Sequence, residues 1–237
     1  MSLDSGIKGL EKIVTIPDSF VILLGGPPGT GKNAFGMDYL FQGVENEENC
    51  LYVSLRNSEE QLKKEAGLRG HNPESENVKF QISNDLMRPG SGGQVFEPEK
   101  VTETLRRNLN EFEPDRIVID SITKFLMIFD AEPVQREELG GILDILKSGN
   151  CSCLMLGEVP FSMNGQPSRY EIAEFVVDGV FRLQKKEEKQ VFDVLKMKGL
   201  DYSTSKYEIN ITSEVVDVSK SFDDSSSKYG DEAYYAQ

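Results

Sequence analysis

Gly26-Pro27-Pro28-Gly29-Thr30-Gly31-Lys32-Asn33 is the stretch on which the reading of this chain turns. It fits the phosphate-binding pattern G-x-x-x-x-G-K-[ST] at every position but the last. Glycines at these places let successive backbone N–H groups curl around an anion, and a lysine at position 32 can reach the outer phosphates. Asn33 stands where a Ser or Thr would place a hydroxyl on Mg²⁺. The flanking sequence supplies the context such a loop needs. Phe20 to Gly25 is a short apolar run that reads as a strand, and Ala34 to Gln42 reads as a helix.

Downstream, Cys50 to Leu55 and Val78 to Ile82 read as further strands. Ser58 followed by Gln61 is a capping box that opens a helix running to about Gly67. Asp85 to Pro98 carries two prolines and three glycines, and reads as a long loop of the kind that forms lids or contact segments. Val101 to Phe112 has a helical stripe of apolar residues. Arg116 to Asp120 is a buried strand ending in a carboxylate, Glu137 to Lys147 a helix, and Cys151 to Leu156 another buried strand. From Phe175 the helical patterns stop. Phe175 to Leu183, Gln190 to Met197, Lys206 to Ile211 and Val215 to Val218 read as consecutive strands. Together these features predict an α/β fold, a mostly parallel central sheet flanked by helices, with an antiparallel C-terminal extension. One domain spans residues 1–218. Residues 219–237, rich in Ser and Asp, have too little aliphatic content to fold alone and read as a disordered acidic tail.

Composition bounds the partners. The 237 residues carry a formal net charge of −14, which repels a phosphate backbone at long range. Lys185-Lys186-Glu187-Glu188-Lys189 is mixed in sign and reads as a solvated hairpin turn, so nucleic acid is not an expected partner. No run approaches the ~18 apolar residues of a membrane span, and Met1-Ser2-Leu3-Asp4 does not begin a secretory signal. A cytoplasmic protein is expected. Cys50, Cys151 and Cys153 lack metal-ligand spacing. Cys151 and Cys153 fall on one face of a strand, as buried thiols would. His71 is the one histidine, so neither a zinc site nor a Ser-His-Asp triad has the partners it needs.

Asp120, at the end of its strand and followed by Ser121, has the placement of a Walker B carboxylate, which would hold Mg²⁺ from the side opposite the phosphates. With that acid in place the chain resembles the KaiC-like group of RecA-fold P-loop ATPases across roughly Ser5 to Val218. Ser5-Gly6-Ile7-Lys8-Gly9-Leu10-Glu11 is similar to that group's Thr-Gly-Ile-x-Gly-Leu-Asp. GGPPGTGKN (25–33), LYVSLRNSEEQL (51–62), RIVIDSIT (116–123), EFVVDGVFRL (174–183) and LKMKG (195–199) follow in the group's order. The resemblance implies adenine nucleotide binding, ATP or ADP, by Gly26, Pro28, Gly29, Thr30, Gly31, Lys32 and Asn33, with Asp120 across from them. It also implies a homo-oligomer, commonly a hexameric ring, with nucleotide between subunits. In the resembling proteins a Lys-x-Arg-Gly segment reaches the neighbour's γ-phosphate. Lys196 and Lys198 stand there in this chain, and Tyr202 is near a position where relatives place a polar or aromatic residue by the nucleotide.

Two departures concern chemistry. The group carries adjacent glutamates in a sequence like Phe-Glu-Glu-Ser-Pro-Glu-Gln-Leu, one of which activates the attacking water. The gapless match here is Leu55-Arg56-Asn57-Ser58-Glu59-Glu60-Gln61-Leu62, and neither Arg56 nor Asn57 can accept a proton at neutral pH. Asn33 is the second departure, and it weakens the expected Mg²⁺ site at Asn33 and Asp120. The expectation is a nucleotide-binding regulatory or signalling protein with weak or absent hydrolysis. The alternatives are an active ATPase drawing its base from Glu59, Glu60 or Glu158, and, less favoured by charge, a recombinase-like DNA-binding ATPase. Glu158 suits either a γ-phosphate sensor or a plain loop acid.

Overall fold

The computed structural model describes residues 3–82, 87–90, 93–158, 171–186 and 188–221. Its centre is a nine-stranded sheet. The strands are β1 (Val21–Gly25), β2 (Cys50–Ser54), β3 (Val78–Ile82), β6 (Arg116–Asp120), β7 (Ser152–Gly157), β8 (Gly179–Lys186), β9 (Lys189–Met197), β10 (Tyr207–Ile211) and β11 (Val216–Ser221). They lie in the order β11-β10-β9-β8-β1-β7-β6-β2-β3. From β3 to β8 the neighbours are parallel, and β9, β10 and β11 add antiparallel strands at one edge. A separate hairpin pairs β4 (Met87–Gly90) with β5 (Gly93–Phe96). The helices are α1 (Lys32–Glu45), α2 (Glu59–Leu68), α3 (Pro98–Glu111), α4 (Ile122–Leu126), α5 (Glu132–Ser148) and α6 (Glu171–Val176).

The central strands are continuous apolar runs because both faces of the sheet are covered, and their alternate residues feed two cores. Ile22, Leu24, Tyr52, Val118, Leu154 and Leu156 face α1, α2 and the antiparallel edge. Val21, Leu23, Leu51, Val53, Ile117, Ile119, Cys153 and Met155 face α3, α4 and α5, where Leu139, Leu143 and Leu146 point inward as the helical spacing required. The three cysteines are free and buried. Burial pushes the Cys50 thiol up to about 12 and Cys151 up to about 11, so none is a reactive thiolate at neutral pH.

Two sequence readings are corrected here. Asp85 to Pro98 is not loop throughout: residues 87–90 and 93–96 form the hairpin, and Pro98 opens α3 in its first turn, where a missing N–H costs nothing. Phe175 to Leu183 is not one strand. Its first residues end α6, Asp178 breaks the run, and β8 starts at Gly179. The Asp178 carboxylate accepts from the Val21 N–H. Lys196 Nζ donates to the carbonyls of Glu174, Phe175 and Val177 at 2.9, 3.0 and 2.7 Å. A cation thus closes the C-terminal end of α6, where the unpaired carbonyls concentrate negative potential. The last strand runs to Ser221 rather than Val218, and the tail reading for 222–237 lies outside the described residues.

His71 has a structural place. Its ring stacks on Phe41 with centroids 4.6 Å apart, and Nε2 lies 3.0 Å from Asp38 Oδ1. Asp38, buried in α1, also pairs with Arg69 at 2.6 and 2.7 Å and accepts from the Val216 N–H. Burial alone would raise the Asp38 pKa, but the His71 and Arg69 hydrogen bonds outweigh it and the carboxyl sits below its ordinary value. A depressed folded-state pKa contributes stability that is present above the unfolded value of 3.8 and is lost as pH falls through the folded one. Asp38→Asn is therefore expected to lower stability at neutral pH and to flatten the acid limb of a Tm-versus-pH curve below about pH 4. An unchanged acid limb would count against this assignment.

Candidate functional site

The strand register builds the site. Ser54, Asp120 and Leu156 share one row across β2, β6 and β7, and Gly25 pairs with Gly157 one step further along. The residues that leave the C-terminal ends of these strands therefore converge: Gly26 after β1, Arg56 after β2, Asp120 at the end of β6 and Glu158 after β7. Crevices at strand C-terminal ends are where open parallel sheets place ligands.

After β1 the chain turns through Gly29 and Gly31, both at positive φ (77° and 87°). A Cβ at Gly26 would meet the Leu183 carbonyl, so that glycine is required by close approach, while Gly31 is required by its positive φ. Thr30 Oγ1 donates to the Pro27 carbonyl at 2.8 Å and ties the loop. Lys32 Nζ donates to the carbonyls of Gly26 and Pro27 at 2.7 and 2.9 Å, and burial lowers its pKa. Asn33 is in the first turn of α1, which holds no acidic residue and whose Gly31 cap makes no side-chain hydrogen bond. The exposed N–H groups of that turn favour an anion.

The far wall is an ion-pair network. Ser54 Oγ accepts from the N–H groups of Arg56 and Asn57 at 3.3 and 2.8 Å and so fixes the bend after β2. That bend turns Arg56 inward. Its Nη1 donates to Glu158 Oε1 at 2.6 Å, and its Nε lies 3.4 Å from Asp120 Oδ1. Asp120 is 1% exposed. Its Oδ2 accepts from the Tyr52 hydroxyl at 3.3 Å, while Oδ1 makes no hydrogen bond. Burial raises the Asp120 pKa, and Arg56, Tyr52 and Lys32 draw it back. Thr123 of α4 holds Glu158 through the Glu158 N–H at 2.7 Å. Ser121 caps α4 by accepting from Lys124 N–H, so the cap on that helix is the serine and not Asp120.

The other sequence candidates separate. Glu59 and Glu60 are exposed in the first turn of α2, below the complete Ser58–Gln61 capping box. Glu59 pairs with Lys63 at 3.2 Å. Neither joins the Asp120 cluster. Lys196, Lys198 and Tyr202 lie at the opposite end of β1 from the chain's own glycine loop, roughly 15 Å away at about 3.3 Å per residue. Lys198 donates its N–H to Asp178, which adjoins Val21 at the start of β1. Lys196 is committed to the α6 carbonyls. Tyr202 donates its hydroxyl to the Leu195 carbonyl at 3.0 Å and packs on the core. Within one chain, then, Tyr202 does not border the glycine loop and Lys196 has a structural task. Lys198 is exposed.

Two residues of the site escaped the sequence reading. Tyr52 is hidden in an apolar strand. Glu65 is on α2, and burial followed by the charge of Asp120 raises its pKa, while Arg56 lowers it. The three-to-four-residue period of α2 places Glu65 one turn beyond Leu62, a signal too weak alone to choose it over its neighbours.

The comparisons agree with this geometry. A model of the family described as "ATPase: KaiC" matches residues 3–222. A UPF0273 protein of Thermotoga maritima is 29% identical over 227 residues, covering 88% of this chain and 91% of that protein. The circadian clock oscillator protein KaiC of Parathermosynechococcus lividus is 25% identical over 90% of this chain, which spans only 41% of that relative's length. The crystal structure of a KaiC-like protein from Pyrococcus horikoshii superposes with a TM-score of 0.79 at 25% identity, covering 93% of this chain and 99% of that one. Among the described residues no helix is long and apolar enough to cross a membrane. With the family model spanning nearly the whole chain and the fold matching, this chain belongs to the KaiC ATPase family, on a nucleotide-binding RecA-like α/β fold.

Proposed function

We propose that the chain binds ATP or ADP in the Gly26–Asn33 loop and serves as a regulatory or signalling protein with slow or no hydrolysis. The observation that carries this is Arg56. With Asn57 it stands where the resembling proteins hold adjacent glutamates, one of which activates water, and it engages the nearby Glu158 as a partner at 2.6 Å. Oε1 of Glu158 is taken up by that guanidinium, which speaks against Glu158 as the missing base. The exposed Lys198, at the end of the sheet away from its own loop, supports a homo-oligomer in which it meets the neighbour's phosphates. Purified protein saturated with ATP is expected to turn over well below ~1 per second, the low end of ordinary enzyme rates. Phosphate release at or above that rate would overturn the proposal.

A second reading is an ATPase with a non-standard base, for which Glu65 on α2 is a candidate because burial and then the charge of Asp120 raise its pKa. Raised carboxylates of this kind suit general-base work. Any turnover that is found should fall on Glu65→Gln and persist in Glu59→Gln and Glu60→Gln.

A further inference from the structure

We infer that Arg56 takes the place of the divalent cation, so that this site binds nucleotide without Mg²⁺. The inference rests on the reading that nucleotide occupies the Gly26–Asn33 loop, and adds to it what balances the charge there.

The residues present do not fit a Mg²⁺ site. Mg²⁺ demands oxygen ligands in near-octahedral order and keeps much of its water. Asp120 is the acid placed to hold that shell. One of its oxygens accepts from Tyr52, and the other faces Arg56 Nε at 3.4 Å without a hydrogen bond. A divalent ion seated on that oxygen would share it with a guanidinium that stays charged at every accessible pH. Glu158, the next nearest acid, already accepts from the same guanidinium. Asn33 offers an amide where the pattern calls for a hydroxyl, and the amide brings N–H donors that a cation repels.

The charge count points the same way. Lys32, Arg56, Asp120 and Glu158 lie close enough that the lysine feels the other three. Two cations and two carboxylates balance among these four positions with no metal present, and Glu65 on α2, which acts on Asp120 and Arg56, adds a carboxylate outside that balance. In a site with glutamate in place of Arg56, the same four positions would carry one cation and three carboxylates, and a divalent ion would be needed to restore balance before an anionic phosphate could approach. Here the planar guanidinium of Arg56 is held by Glu158 at Nη1 and lies beside Asp120 at Nε, so a phosphate oxygen would meet its Nη2 edge. Arginine cannot polarise water as a Mg²⁺ ion does, so binding without the ion and slow hydrolysis go together.

The experiment is isothermal titration of the full chain with ATP, once in excess EDTA and once in excess Mg²⁺. The Kd in EDTA is expected to equal the Mg²⁺ value within about threefold, or to be tighter. Arg56→Gln should weaken binding in EDTA by about tenfold or more and make the remaining binding Mg²⁺-dependent. Arg56→Lys, which keeps the charge, should retain binding in EDTA and serves where the glutamine variant does not fold by circular dichroism. Wild-type binding that requires Mg²⁺ overturns this inference and leaves the proposed nucleotide site standing. Unchanged EDTA affinity in both variants also overturns it. No binding of ATP under either condition, nor of ADP in the same two titrations, overturns the proposed function together with the inference.

Discussion

Arg116→Ala is expected to destabilise the fold by about 3 kcal/mol, the low end of the range for breaking a buried ion pair, because Glu48 keeps 24% of its side chain exposed. Arg116 begins β6, is fully buried, and its guanidinium is almost completely satisfied. Nε and one Nη donate to the two Glu48 oxygens at 2.8 and 2.9 Å. The other Nη donates to the carbonyls of Asp4 and Tyr39 at 2.8 and 2.7 Å. The plane also lies over the Tyr39 ring at 4.9 Å. One side chain thus ties the N-terminal segment, α1, the turn before β2 and β6 to a single point. Truncation orphans two carbonyls and a carboxylate and leaves a cavity, and each of these is costly on its own. Since whole domains are stable by only ~5–15 kcal/mol, such a loss endangers folding at growth temperature. Arg116→Met should cost less because it keeps volume, and Arg116→Lys should be intermediate because a point charge cannot reproduce the fork. Urea unfolding of the three variants decides the matter. A cost below about 1 kcal/mol for the alanine variant would mean that the network is not holding these segments together.

What the sequence revealed of this fold followed from how local each signal is. The loop from Gly26 to Asn33 was legible because turn chemistry, strand and helix are adjacent in the chain, and the capping box at Ser58 and Gln61 was legible for the same reason. The apolar run through Phe175 was misread because a short α6 and the start of β8 are both apolar, with only Val177 and Asp178 between them. Periodicity cannot separate a buried strand from a buried helix turn over so few residues. What settled α6 was Lys196, some twenty residues away, capping its carbonyls. The same holds at the site. That Arg56 is not a base follows from its chemistry alone, but that it binds Glu158 requires the register of β2, β6 and β7, which brings together residues 102 positions apart. Glu65 was missed because its raised pKa comes from burial and then from the charge of Asp120, which no local pattern records.

Restoring the acids and the hydroxyl in one chain, as Asn33→Ser with Arg56→Glu and Asn57→Glu, is expected to raise ATP turnover in Mg²⁺ by about 100-fold or more over the parent. A positioned general base contributes typically 10²–10⁴-fold, and the parent has none at these positions. Each single substitution should do far less. Arg56→Glu alone places a third carboxylate beside Asp120 and Glu158 and removes the cation that balances them. Mutual repulsion then raises their pKa values and weakens the site for an anionic ligand. Asn33→Ser alone leaves the guanidinium on Asp120. Asn57→Glu alone adds an acid next to a cation that claims it. Groups that act on one transition state are strongly non-additive in this way, so the measured quantity is the gap between the triple variant and the sum of the singles. Phosphate release at saturating ATP, with binding of ATP verified for each variant, supplies it. A triple variant that binds ATP and still turns over at the parental rate would show that Arg56, Asn57 and Asn33 do not limit hydrolysis.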